Sequence, residues 1–251
     1  MAVKPRAVAA NLAVALLTLL TVAPLVYMVI VSFMPRGESG TLPTPLWPSR
    51  WSIENYYELL VRRKFDDAWF DYRIVPALVN SLGVAALSTG LGLLLTVPAG
   101  YAFAKLRFRG RERLLQLLVA SLVVPGQVAM LPLFLIFKEL GLVNTYAGVI
   151  LPSLAGIFAV IVLPLLAPIT VTLALFMFLG SWNDFLWPLI ILADQHRYTL
   201  PVAVAAIARE HAADAELMMA AAVVTTLPVL VLFLALQRYY MRGLLGGSVK
   251  G

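Results

Sequence analysis

Residues 147–193 constrain the fold most strongly, because over this whole length the chain carries one formal charge, Asp184. A single transmembrane helix takes about 20 predominantly apolar residues. The stretch is therefore too long for one crossing and has about the length of two. Its strongest helix breakers are Pro164 and Pro168, so the sequence predicts a turn there that contains neither lysine nor arginine.

The composition indicates a membrane protein. Of the 251 residues, 61% are hydrophobic and 13% are charged, whereas soluble domains carry about 25% charged residues. We therefore predict an all-α, polytopic transmembrane helix bundle. The absence of cysteine excludes disulfides and thiolate chemistry. The net charge of +6 comes from basic clusters beside apolar segments, which is the positive-inside pattern and does not favour nucleic-acid binding.

The distribution of charge predicts which loops face the cytoplasm. Residues 105–113 hold five basic side chains and one acidic side chain, the strongest positive-inside signal in the chain. Residues 138–145 are neutral, and residues 194–216 carry four acidic and two basic side chains, so both loops are predicted outside. The chain must then cross the membrane an even number of times between them. Two crossings give about six spans with both termini cytoplasmic.

The predicted segments follow from this count. They are a cytoplasmic N-terminus (1–6), TM1 (7–33), an outer loop (34–75) and a transmembrane domain (76–250) that contains TM2 (76–104), TM3 (114–137), TM4 (147–162), TM5 (167–192) and TM6 (217–236), with a cytoplasmic tail at 237–251. In TM2, small residues recur every fourth position at Ser88, Gly92, Thr96 and Gly100. Such a stripe predicts close helix packing in lipid.

The outer loop has six basic and six acidic side chains, so its charge does not require the cytoplasm. Residues 42–48 contain three prolines and are predicted to be stiff and extended. Ser52 is a candidate N-cap for a short helix over 53–60. The tryptophan and tyrosine side chains near this helix suit a membrane interface.

Asp184 is the one carboxylate inside a predicted span, and such a group is costly and indicates a function. It lies beside Trp182 and Asn183. Asp184 has two possible interpretations of equal weight: an interfacial position near lipid headgroups, or the polar lining of a translocation path. A third hypothesis, an intramembrane enzyme, rests on Asp184 alone. The only histidines, His196 and His211, lack metal-ligand spacing, so we predict neither a metal nor a cofactor.

Several short motifs, taken in order, resemble one family. They are Asn80-Ser81-Leu82, Ala99-Gly100-Tyr101-Ala102-Phe103-Ala104, Val124-Pro125, Leu131-Pro132-Leu133, the segment from Leu140 to Tyr146, the segment from Gly180 to Leu189, the tail from Gly247 to Gly251 and, earlier, the segment from Trp51 to Tyr56. Together they are similar to the permease subunits of carbohydrate ABC importers, of the maltose-transporter type. The resemblance covers nearly the whole chain.

The resemblance implies a type I ABC importer permease that moves a mono- or oligosaccharide across the plasma membrane by alternating access. Its partners would be a second homologous permease, two ATP-binding-cassette ATPase subunits and an extracytoplasmic sugar-binding protein. ATP hydrolysis belongs to those ATPases, because this chain has no phosphate-binding G-x-x-x-x-G-K-[ST] loop. Which sugar is moved is left open.

The resemblance also assigns sites. The tail would contact an ATPase subunit through Gly246, Gly247, Ser248, Val249, Lys250 and Gly251. The loop before TM6 would face the binding protein through Arg197, Tyr198, Arg209 and Glu210, and the translocation path would involve Trp182, Asn183 and Asp184.

One departure from the family pattern concerns the coupling loop. These permeases carry an E-A-A-x(3)-G motif between the fourth and fifth spans, where the chain docks into the ATPase. Here the sequence runs from Val160 directly into Ile161 and the proline pair, and the motif is absent. An alternative function is therefore an uncoupled or defective permease-derived bundle.

The six-span topology makes a direct prediction at Ala167. Because the native chain has no cysteine, an Ala167→Cys variant has one reactive thiol. We expect a membrane-impermeant maleimide to label it only from the cytoplasmic side of oriented vesicles. Labelling from the outside would contradict the topology.

Overall fold

A computed structural model describes residues 5–61, 63–65, 68–70, 74–121, 123, 125–161, 170–210 and 214–246. The helices are α1 (Pro5–Ser32), α2 (Glu54–Leu60), α3 (Ile74–Lys105), α4 (Arg111–Ser121), α5 (Met130–Glu139), α6 (Tyr146–Ile161), α7 (Thr170–Trp182), α8 (Leu186–Ile191), α9 (Leu200–Glu210) and α10 (Ala215–Gly246), with 3-10 turns at Gly126–Ala129 and Gln195–Arg197. Two short strands, β1 (Arg63–Phe65) and β2 (Ala68–Phe70), pair antiparallel. The predicted helical bundle is confirmed.

Three of the predicted spans, TM1, TM2 and TM6, form helices of membrane length. Within the described ranges, three helices can cross a bilayer by length and composition: Ala10–Ser32, Ile74–Lys105 and Ala215–Gln237. A fourth crossing is added if the bent pair Arg111–Ser121 and Gly126–Glu139 counts as one. The total of six spans stays a prediction, and the predicted turn at Pro164 and Pro168 lies outside the described residues.

Two predicted spans differ in form from single helices. TM3 is divided between α4 and α5, whose axes are bent by 89°. Pro125 lies in this break, and proline cannot donate the backbone hydrogen bond that would continue a helix. TM5 contains α7 and α8, separated at residues 183–185, where Asn183 and Asp184 interrupt the apolar run. The predicted loop 194–216 also holds an additional helix, α9.

The chain divides into two compact units, one formed by Met1–Tyr72 with Val204–Leu227 and the other by Arg73–Ala203 with Pro228–Gly251. The second unit is organised on one face of α3. That face buries mostly small residues, among them Ala77, Ser81, Ala85, Ser88, Gly92 and Thr96, and α3 packs through it against α6 and α7. Ser153 of α6 donates a hydrogen bond to the Ser88 hydroxyl at 3.3 Å. The predicted packing role of the stripe is confirmed, with Gly100 only half-buried.

In the first unit, α1 exposes apolar side chains on all sides, as expected for a helix that contacts lipid. The fully buried Asn55 of α2 holds the backbone at the end of α1. Its amide donates to the carbonyl oxygens of Ser32 at 3.0 Å and Met34 at 2.8 Å. The prediction of Ser52 as the N-cap of α2 is wrong, because Ile53 takes that position and makes no side-chain cap. Ser52 lies one residue earlier, and its hydroxyl accepts from the Glu54 N–H at 3.2 Å.

An ion pair secures the same unit. Arg36 forms a salt bridge with Glu58, whose side chain is 2% exposed, and a second with Asp214, with 3.4 Å between Arg36 Nε and an Asp214 oxygen. The buried Glu216 carboxylate accepts a hydrogen bond from the Ser39 N–H at 2.7 Å. The loop after α1 is therefore fastened to the beginning of α10 by charged groups.

Removing Arg36 should weaken the first unit markedly. An Arg36→Gln variant removes the salt bridge between Arg36 and the buried Glu58 carboxylate, and breaking a buried pair costs about 3 kcal/mol or more. Arg50→Gln is the matched control, because Arg50 and its partner Glu54 are 69% and 61% exposed and such pairs contribute roughly 0–1 kcal/mol. We expect thermal unfolding in detergent to show a lower melting temperature for Arg36→Gln alone. Equal small shifts in both variants would contradict the assignment.

Candidate functional site

Polar side chains of the second unit converge where α3 begins and α8 ends. Asn80 of α3 donates hydrogen bonds to the carbonyl oxygens of His196 and Tyr198, both at 3.0 Å. Its own side-chain oxygen accepts from the Tyr146 hydroxyl at 2.8 Å. The neighbouring Ser81 is 3% exposed and accepts from the Leu200 N–H at 2.7 Å. Two consecutive residues of α3 thus fix the backbone between α8 and α9.

Asn144 fixes the same segment from the other side. It has a positive φ of 59°, which asparagine tolerates better than most residues. In that conformation its N–H donates to the Ile191 carbonyl at 2.7 Å. Its side-chain oxygen accepts from the backbone N–H groups of Ala193 at 3.2 Å and Asp194 at 3.1 Å.

Charged groups complete the arrangement. Arg197 donates to the backbone carbonyl of Asn144 and lies 3.9 Å from the Asp194 carboxylate. Asp194 in turn accepts from the His196 N–H at 2.9 Å. We call this group the polar junction; its members are Asn80, Ser81, Asn144, Tyr146, Asp194 and Arg197.

An apolar cluster lies against the polar junction. It contains Phe137, Val149, Ile150, Trp187 and Ile191, with Tyr198 packed at its edge. The Trp187 indole N–H donates to the Gly148 carbonyl at 2.9 Å, so its one polar atom is satisfied. A side chain at Gly148 would overlap the backbone oxygen of Leu142. This glycine therefore permits the close approach of α6 to the preceding turn.

The three residues predicted for a translocation path lie at the junction of α7 and α8. Trp182 is 1% exposed and stacks on Phe178 with 5.7 Å between ring centroids. Asn183 is exposed, directly follows α7, and donates to the Leu179 carbonyl of that helix at 2.9 Å. Asp184 is half-buried and faces the backbone N–H of Trp187. Their role in a path stays a prediction.

The remaining predicted residues fall in several places. Arg197 and Tyr198 belong to the second unit, where the polar junction holds them. Arg209 is exposed on the last turn of α9, and Glu210 is the final residue of that helix. Gly246 ends α10, and the tail residues 247–251 lie outside the described part of the chain. In that described part, no group of three or more potential metal ligands occurs.

In the sequence, Asn80, Ser81 and Asn144 appear only as parts of family-like motifs, without an indicated role. The available signal was their position, since each is a small polar residue at the edge of a long apolar segment. Where the chain leaves a membrane helix, its backbone groups need partners. Short amide and hydroxyl side chains at those edges are suited to provide them.

The fold matches that of a membrane transporter. It superposes on a chain from the crystal structure of a bacterial ABC transporter involved in the import of the acidic polysaccharide alginate, with a TM-score of 0.71. The match covers 93% of this chain and 96% of that chain at 17% identity. The structure thus defines a polytopic helical protein with an ABC importer permease fold, as predicted.

Sequence comparison narrows the class. The chain is 30% identical to the arabinooligosaccharides transport system permease protein AraQ of Halalkalibacterium halodurans, over 94% of each chain. It is 29% identical to AraQ of Bacillus subtilis, over 94% of this chain and 93% of that protein. It is also 30% identical to the melibiose/raffinose/stachyose import permease protein MelC of Bacillus subtilis, over 74% of this chain and 80% of that protein. No protein-family profile matches the chain.

The chain belongs to the family of sugar ABC transporter permeases. The resemblance on which the sequence interpretation rested is confirmed.

The hydrogen bonds of Asn80 can be tested by truncation. Asn80→Ala removes three hydrogen bonds that are exposed or part-buried, and a bond of this kind contributes roughly 0.5–1.5 kcal/mol. Asn183→Ala is the matched control, because Asn183 bonds only within its own helix turn. We expect the melting temperature in detergent to fall for Asn80→Ala and to stay within about 1 °C of wild type for Asn183→Ala, whose loss is a local surface contact. The reverse order would contradict the role of the polar junction.

Proposed function

We propose that this chain is one transmembrane subunit of an ATP-driven importer that moves an oligosaccharide into the cell by alternating access. The observation that carries the proposal is the 30% identity to AraQ over 94% of both chains. AraQ is named for the transport of arabinooligosaccharides and MelC for the import of melibiose, raffinose and stachyose, which supports this substrate class. The importer-like fold is consistent with the same role.

Such a subunit works only in a complex. The partners are a second homologous permease, two ATPase subunits that hydrolyse ATP, and an extracytoplasmic sugar-binding protein. The protein is an integral protein of the plasma membrane with both termini in the cytoplasm. The distribution of basic residues supports this orientation, because residues 105–113 and the tail carry the positive clusters. The binding protein docks on the side that holds the polar junction, and its contacts include Arg197 and Tyr198.

We further propose that the coupling loop is shortened in this chain, because its E-A-A motif is absent from the sequence. The alignments to the two AraQ proteins extend over 270 and 269 positions, which is more than the 251 residues of this chain. At some of these positions the AraQ proteins therefore have residues that this chain lacks. This difference in length supports the predicted absence of the E-A-A loop without giving its position. The uncoupled or defective permease receives no support from the comparisons.

The complex itself provides the test of the proposed function. We would isolate it from the native host through an affinity tag on this chain, identify its subunits by mass spectrometry and reconstitute it in proteoliposomes. We expect a second permease, an ATPase and ATP-dependent accumulation of a radiolabelled oligosaccharide. A tagged chain that carries neither partner and accumulates none of a panel of oligosaccharides would contradict the proposal.

Asp184 allows a separate test of the translocation path. If its carboxylate contacts the sugar, Asp184→Asn should lower uptake about tenfold, the effect of losing a hydrogen bond to a charged group, while the subunit composition stays unchanged. Glu139→Gln is the control, because Glu139 ends α5 with an exposed side chain. Undiminished uptake by the Asp184 variant would remove this residue from the path and leave the intramembrane-enzyme hypothesis without support.

A further inference from the structure

Large apolar side chains lie exposed on the loop that follows α1. We call them the aromatic patch; its members are Leu42 (91% exposed), Leu46 (76%), Trp47 (62%), Trp51 (59%), Ile53 (71%) and Tyr57 (61%). Residues 41–49 carry no charge. Exposed large apolar side chains concentrated in one segment in this way indicate an interaction site with a protein or a membrane.

The aromatic patch is held by defined contacts. Trp47 and Trp51 meet edge to face with 6.0 Å between ring centroids, and Phe33 lies 5.9 Å from Trp51. The Ser52 N–H donates to the Phe33 carbonyl at 2.8 Å. Three prolines within residues 42–48 restrict the backbone further. The rings are therefore presented outward by a stiff loop.

The aromatic patch continues the apolar surface of α1. The Tyr27 hydroxyl, on the last turns of that helix, donates to the Pro45 carbonyl at 3.3 Å. Leu25, Val26 and Val29 of the same turns are 40–53% exposed. Since Ala10–Ser32 is long and apolar enough to cross a bilayer and is only 11% buried, these side chains contact lipid. At Pro45 the loop thus lies beside the final turns of α1, which is a membrane span.

We propose that the aromatic patch is a membrane-interface anchor, seated between the headgroups and the acyl chains of the leaflet that α1 reaches at Ser32. Three observations favour lipid as the occupant: the continuity with the lipid-facing side of α1, the lack of charge in residues 41–49, and the two tryptophans. Indole rings prefer this depth because their body is apolar and their N–H remains hydrated. The anchor holds the otherwise polar loop against the bilayer surface.

Spin labels measure the environment of the aromatic patch directly. Because the chain has no cysteine, Leu46→Cys and Gly40→Cys each introduce one labelling site in the same loop, and Gly40 is the exposed control outside the patch. In lipid nanodiscs, we expect the label at Leu46 to collide several-fold more with oxygen, which concentrates in lipid, than with a water-soluble nickel chelate. The label at Gly40 should show the opposite preference.

Two results would overturn the anchor. Equal access of the nickel chelate to both labels would place the aromatic patch in water. Protection of Leu46 from oxygen and from nickel alike would place it beneath a protein partner.

Fluorescence of the native tryptophans gives an independent measurement that does not depend on the cysteine variants. Phospholipids brominated near the headgroup should quench wild type more than the Trp47→Phe/Trp51→Phe double variant. Equal quenching of the two proteins would contradict the proposal.

Discussion

An asparagine amide that joins two backbone carbonyls is the interaction on which both units of this protein depend. In the first unit, Asn55 binds the carbonyls of Ser32 and Met34. In the second, Asn80 binds those of His196 and Tyr198. In each pair the two carbonyls are two residues apart, at the end of a helix or turn and just beyond it. A chain that exits a membrane helix beside hydrocarbon must find such partners within the protein, because water is scarce there.

This constraint explains where the polar side chains of the described residues lie. Along α3 the buried polar groups are small hydroxyls, such as Ser88 and Thr96, and Thr96 bonds to its own helix. Larger polar and charged side chains lie near helix ends. They are found in the polar junction beside the start of α3 and around Arg36, after the end of α1. A surface fixed in this way loses little conformational entropy when a partner docks on it. The polar junction therefore suits the binding-protein contact proposed for Arg197 and Tyr198.

The sequence predicted the class of fold, the packing face of α3 and the family, since these depend on hydropathy, on residue size and on motif order. It did not predict the break between α4 and α5, although Pro125 marks the position. It also treated residues 194–216 as a loop, whereas α9 forms there and buries Leu200, Val202 and Ile207. The burial of that helix face depends on tertiary contacts that a local pattern does not contain.

The candidate site was predicted only in part for a related reason. Arg197 and Tyr198 were selected by resemblance, and the structure adds the partners that hold them. The sequence gives Asn80 and Asn144 no role, because their positions at the edges of apolar segments do not show that residue 80 bonds to residues 196 and 198, or residue 144 to residues 193 and 194. The sequence shows the polar residues, and only the fold shows which carbonyls they reach.

Hydrogen–deuterium exchange of the wild-type protein in nanodiscs tests the polar junction most directly. The backbone N–H groups of Ala193, Asp194, His196 and Leu200 all bond to side-chain oxygens of Asn144, Asp194 or Ser81. Peptides covering residues 192–200 should therefore exchange at rates close to those of α8. They should exchange far more slowly than the exposed segment 106–110. Exchange of 192–200 as fast as that of 106–110 would contradict the account.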